Sequence, residues 1–111
     1  MIIHGHPLSP PSLLAWSVAE YVGATFEKKV VDLMKGEHHS EEYKKLNPNS
    51  LVPTLQEGDF ALFESFAIAR FLVNSRNKNG DHTIYPADDL KIRSQIDQHI
   101  GHINDWRYSG L

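Results

Sequence analysis

The chain has 111 residues, 41% of them hydrophobic, which suits one globular domain, or one domain and the start of another. Its formal net charge of −3, with acids and bases interspersed, gives no basic footprint for nucleic acid, and the lack of cysteine excludes disulfides, thiolate metal sites and a cysteine nucleophile. No apolar run approaches the roughly 20 residues needed to cross a bilayer, and the first residues carry neither a basic stretch nor a long apolar one, so the expectation is a soluble, cytoplasmic protein with no membrane partner.

Residues 1–4 are a short apolar run ending at Gly5, the pattern of a buried strand. Residues 6–12 (HPLSPPS) form a loop rich in breakers. Residues 13–22 read as a helix, with Leu13, Leu14, Val18 and Tyr21 or Val22 on its apolar face and Gly23 as its stop. Pro10 or Pro11 suits the first turn, and the position of Ser12 is that of an N-cap. Residues 26–33 alternate loosely around Val30-Val31 and predict a second strand. A polar loop over 35–40 leads to a short helix. Its Glu41-Glu42 start and Lys44-Lys45 end match the macrodipole, and Asn47-Pro48-Asn49 stops it.

The stretch 51–71 (LVPTLQEGDFALFESFAIARF) is the most informative. Val52-Pro53-Thr54-Leu55 is an apolar run led by a proline, which belongs at a strand start or tight turn. Glu57-Gly58-Asp59 is a turn signal, residues 60–63 a second strand, and Glu64-Ser65 a helix start that Ser65 can cap. Ala67, Ile68, Phe71 and Leu72 line one face of that helix. A hairpin therefore runs into a helix N-terminus, where free N–H groups and partial positive charge offer a seat for a carboxylate. Residues 74–83 have linker composition. Asp88-Asp89 then starts a last helix with a narrow stripe of Ile92, Ile96, Ile100 and Ile103, extended by Trp106. The order β-α-β-α-β-β-α predicts an α/β, thioredoxin-like arrangement: a parallel βαβ unit, an antiparallel hairpin and a closing helix.

VPTL, a short hairpin and FESFAIARFL resemble the glutathione-binding half of a cytosolic glutathione S-transferase of the serine type, as in the theta, delta and phi classes. The likeness covers residues 2–106. It implies a thioredoxin-like glutathione-binding domain over 1–76, a linker over 77–88, and, over 89–111, the first helix of an all-helical domain. It also implies a cytoplasmic homodimer that detoxifies small hydrophobic electrophiles by attack of the glutathione sulfur. Glutathione is then the co-substrate, and no cofactor is expected. The isoleucine stripe is a separate reason to expect burial against a partner surface.

The resemblance maps the family's catalytic serine onto Ser9, through His6-Pro7-Leu8-Ser9. A hydroxyl at a helix start can donate to a bound thiolate. On the residues alone, Ser9 is also an ordinary turn or cap residue, and Ser12 is a nearby alternative. By the same resemblance, Val52 precedes a cis Pro53 and pairs its backbone with the cysteinyl backbone of glutathione. Glu64 answers the γ-glutamyl ammonium, Ser65 and the helix terminus its carboxylate, and His38 or His39 the glycyl carboxylate. A solvated acid, a plain cap and solvated histidines are the ordinary alternatives.

Three departures stand out. Leu51 replaces a basic or amide residue before the Val-Pro, Phe66 replaces the arginine after Glu-Ser, and no arginine lies in Ser12-Leu13-Leu14-Ala15. They favour a second reading, a non-catalytic binding or dimerisation module. A metal site is the third option: His99, His102 and Asp105 recur every three residues, but no motif such as HExxH accompanies them, and no metal is expected.

Overall fold

The computed structural model describes residues 1–108, with side chains to residue 105. The described chain divides into two compact units, the first Met1–Gly80 and the second beginning at Asp81.

The first unit is built on a four-stranded sheet in the order β2-β1-β3-β4. The strands are β1 (Ile2–Gly5), β2 (Glu27–Val30), β3 (Thr54–Glu57) and β4 (Phe60–Phe63). β2 runs parallel to β1, whereas β3 is antiparallel to both β1 and β4. The helices of this unit are α1 (Pro10–Tyr21), α2 (Glu41–Leu46) and α3 (Ser65–Arg76). The expected βαβ-ββα arrangement is present, and the fold is thioredoxin-like.

Strand alternation sorts the helices onto two faces. Ile3 and its partner Leu55 are fully buried on one face with Ala15, Trp16, Ala19, Val22, Ile68 and Leu72. Trp16 pins α1 there by donating its indole N–H to the Ile3 carbonyl at 3.0 Å. His4 and its partner Thr54 point to the other face, where Tyr43 of α2 meets both. Gly5 is required by this packing. A Cβ there would lie 2.7 Å from the Trp16 ring and 2.9 Å from the Ser12 Cβ.

Several local expectations change. α1 begins at Pro10 and its N-cap is Ser9, not Ser12, which lies in the first turn and is fully buried. The two consecutive prolines set the helix three residues earlier, because neither needs an N–H partner there. The buried face of α1 is Ala15, Trp16, Ala19 and Val22, whereas Leu13 and Tyr21 are exposed. Small alanines let α1 approach the sheet closely, and Trp16 fills the remaining space. β2 is only four residues long and exposed throughout, as an edge strand carrying lysines can be. The polar loop before α2 contains a 3₁₀ turn, Glu37–His39, and Ser40 caps α2 by accepting from the Tyr43 N–H at 3.1 Å. The hairpin strand starts at Thr54 rather than Val52, and its turn places Gly58 at φ +58°. α3 continues through Asn74, Ser75 and Arg76, where linker was expected. Arg76 is held by bonds of 2.5 and 2.7 Å to both carboxylate oxygens of Glu57.

In the second unit, Asp89 caps α4 (Leu90–Tyr108): its carboxylate accepts from the Ile92 N–H at 3.1 Å. The Tyr85 hydroxyl donates to Asp97 at 2.9 Å, and the Arg93 guanidinium lies 3.8 Å from the Tyr85 ring centroid. Ile92 and Ile103 remain 44% and 48% exposed. The Trp106 side chain lies outside the described residues. Among the described residues, no helix is long and apolar enough to cross a membrane.

Candidate functional site

Register alone brings the singled-out residues to one end of the sheet. Gly5, the last residue of β1, pairs with Val30, the last of β2. His4 pairs with Thr54, the first residue of β3, and Thr54 pairs with Phe63, the last of β4. The loop carrying Ser9, the loop carrying His38 and His39, the Val52-Pro53 step and the Glu64-Ser65 helix start therefore all leave the sheet at this end. β1, β3 and β4 are neighbours, so the Ser9 side and the Glu64 side are separated by about two strand spacings, or about 10 Å. Three extended residues span about as much.

Ser9 Oγ accepts the Ser12 N–H at 3.3 Å, and the Ser9 N–H donates to the His6 carbonyl at 2.9 Å. As an acceptor in its capping bond, the hydroxyl keeps its own proton free to donate. The cap and the hydroxyl donor are compatible roles of one side chain.

The Val52–Pro53 bond is cis. Glu64 has φ +76° and ψ 114°, a conformation that side-chain-bearing residues rarely adopt, and its carboxylate makes no capping bond. Glu64, not Ser65, is the N-cap of α3; Ser65 is the first helical residue and only 3% exposed. The helix therefore presents its first N–H groups beside a buried hydroxyl and an exposed carboxylate. Glycine would take this conformation more easily, so holding a glutamate there is a stored cost that points to a role for the side chain.

His38 and His39 sit in the 3₁₀ turn, their ring centroids 3.9 Å apart. His39 is exposed, and His38 Nδ1 is buried with no hydrogen-bond partner. The loop before them is tied by the Asp32 N–H donating to Glu37 Oε2 at 2.7 Å.

Beneath the Val52-Pro53 step lies a polar cluster that reading the sequence did not single out. Tyr43 OH is 2.6 Å from the Leu51 carbonyl and 2.7 Å from Thr54 Oγ1. Asn47 Nδ2 donates to the same carbonyl at 3.0 Å and the same hydroxyl at 3.2 Å, while its Oδ1 accepts the Asn49 N–H at 3.0 Å. Burial pushes the Tyr43 hydroxyl above its ordinary 10.0, against the opposing Thr54 bond, so it stays a donor at neutral pH. The three side chains come from separate positions across a helix, a loop and a strand. Only the Asn-Pro break and a threonine after a proline hinted at them.

A cavity of about 310 Å³ lies on the α2 face, lined by His4, Lys29, Val31, Glu37, Tyr43 and Leu46 among others. It includes none of Ser9, Val52, Glu64 or Ser65. Leu51, one of the departures, is 55% exposed, and its side chain offers nothing polar to the site.

Residues 1–74 match the family description "Glutathione S-transferase, N-terminal domain". A mouse (Mus musculus) protein named glutathione S-transferase theta-2 is 39% identical over 94 residues, covering 85% of this chain and 37% of the relative. Human glutathione S-transferase theta-1 is 36% identical over 104 residues, covering 94% of this chain and 40% of the relative. The chain thus spans well under half the length of these relatives. Among solved structures, human glutathione transferase theta-2, in complex with glutathione and an unknown ligand, superposes with a TM-score of 0.85 at 33% identity, over 94% of this chain and 42% of that one. A housefly (Musca domestica) epsilon-class enzyme gives 0.80 at 39% identity, over 87% and 43%.

Proposed function

Because this chain belongs to the glutathione S-transferase family by its N-terminal domain, we propose that it binds glutathione across the open end of the sheet and activates its thiol for attack on a small hydrophobic electrophile. The observation that carries this reading is the register that gathers Ser9, Val52-Pro53 and Glu64-Ser65 at that end, about one tripeptide apart.

Ser9 donates its free proton to the thiolate. A charge-assisted hydrogen bond is worth roughly 1.5–3 kcal/mol. It lowers the thiol pKa from about 8.5 by about one to two units. The ionised fraction at pH 7 then rises from about 3% to about a quarter or more. Val52 N–H and C=O pair with the cysteinyl backbone as an added strand would. Glu64 answers the γ-glutamyl ammonium, while Ser65 and the first N–H groups of α3 answer the carboxylate. The exposed His39 ring, or His38 beside it, answers the glycyl carboxylate. Glutathione is the co-substrate, and no cofactor or metal takes part.

The setting is detoxification in the cytoplasm by a homodimer. Phe60, 46% exposed, with its ring centroid 5.5 Å from that of Phe71 and tilted 39° to it, supplies apolar surface for a second copy. Leu51 and Phe66 favour a second reading, a glutathione-binding or dimerisation module without turnover. Retention on immobilised glutathione tests binding. Conjugation of chlorodinitrobenzene by wild type and Ser9→Ala then separates the readings: turnover lost in the variant supports the enzyme, and binding without turnover in the wild type supports the module.

A further inference from the structure

The buried cluster under the Val52-Pro53 step has a fixed donor order. A carbonyl only accepts, so Tyr43 spends its one proton on Leu51 O at 2.6 Å. The bond between Tyr43 OH and Thr54 Oγ1 then has Thr54 as donor, at 2.7 Å. The direct reach from Thr54 to Leu51 O, 3.5 Å, is too long to compete. Asn47 Nδ2 spends its two protons on Leu51 O and Thr54 Oγ1. Leu51 O thus receives two short bonds, Thr54 Oγ1 gives one and takes one, and Asn47 Oδ1 takes the Asn49 N–H. Thr54 and Asn47 are 0% and 1% exposed, so no water can replace a lost member. Apart from the Asn49 bond, every bond in the set has residue 51 or 54 at one end, the two that bracket Val52-Pro53.

We propose that Tyr43, with Asn47 and Thr54, is a positioning residue for glutathione: it holds the backbone of Val52 in the orientation that pairs with the cysteinyl unit, although it lies on the far face of the sheet and touches no ligand. The proposal rests on the glutathione reading given above. It assigns α2 a part in affinity that Ser9 and Glu64 do not supply. It also explains how binding survives the nonpolar Leu51 side chain, since that residue acts through its carbonyl.

The test compares wild type and Tyr43→Phe, which keeps the ring and deletes the hydroxyl. Glutathione affinity is read by calorimetry, and backbone amide exchange is read in the free protein. Affinity falls about five- to tenfold in the variant, since a buried hydrogen-bond partner is lost. Exchange speeds up at Thr54 and Leu55, the start of β3, but not in α1 or β2. Unchanged affinity, or uniformly faster exchange across the first unit, overturns the proposal and leaves the glutathione reading standing. No binding by the wild type overturns both. Should Tyr43→Phe fail to fold, Thr54→Val decides by the same two readouts, with Thr54→Ser, which keeps the hydroxyl, expected to bind as the wild type does.

Discussion

Ser9 carries two demands on one oxygen: it accepts the Ser12 N–H to cap α1 and, in the proposed site, donates to a thiolate. The two separate by substitution. Ser9→Ala removes both and costs about 1 kcal/mol of stability, whereas Ser9→Gly caps nearly as well and costs a few tenths. Both variants raise the pKa of bound thiol by about one to two units. Urea unfolding and the pH dependence of conjugation therefore part company in Ser9→Gly, with the unfolding midpoint almost unmoved and the rate profile displaced to higher pH. Glu64 offers a parallel test through its φ of +76°. Glu64→Ala keeps the strained backbone and Glu64→Gly relieves it, so the glycine variant is the more stable of the two by about 1 kcal/mol in urea. Both lose affinity for glutathione, because both lose the carboxylate.

At the scale of elements, the sheet carries an apolar face under α1 and α3 and a mixed face under α2. His4 belongs to the mixed face, with Nε2 2.9 Å from Gln56 Oε1 and its ring edge-on to Tyr43. Burial holds its imidazole below the ordinary 6.5. The Gln56 bond opposes this, Lys29 reinforces it and Glu27 opposes it, while Glu37 and Glu42 line the same cavity. The fold therefore keeps His4 neutral while the unfolded chain takes up a proton near pH 6.5. Stability is full above about 6.5 and falls as pH drops from there toward the lower folded value. Urea midpoints at pH 8 and pH 5 show that fall, and His4→Gln lessens it.

The same elements show what a sequence can convey. The order of elements along the chain, the hairpin and the helix beginning at Glu64-Ser65 were legible because periodicity and breakers write them locally. The face of α1 was not: two prolines moved its start, and Ala15 and Ala19 pack where larger residues seemed the natural choice. The Tyr43-Asn47-Thr54 cluster was illegible for another reason. Its members acquire meaning only when α2 lies on the sheet, a tertiary event that no local pattern encodes.

At the scale of the whole molecule, the chain holds a complete thioredoxin-like unit and a helix whose isoleucine stripe is partly open. Apolar surface at Phe60, together with family membership, leads to the expectation of a homodimer at micromolar concentration in sedimentation velocity; a monomer across that range refutes it. The most direct test of the central claim is amide chemical-shift mapping during a glutathione titration. The account predicts that the largest shifts gather at Ser9, His38-His39, Val52 and Ser65, which meet only at one end of the sheet. Absence of shifts at millimolar glutathione, or shifts gathered instead around His4, Val31 and Leu46, would contradict it.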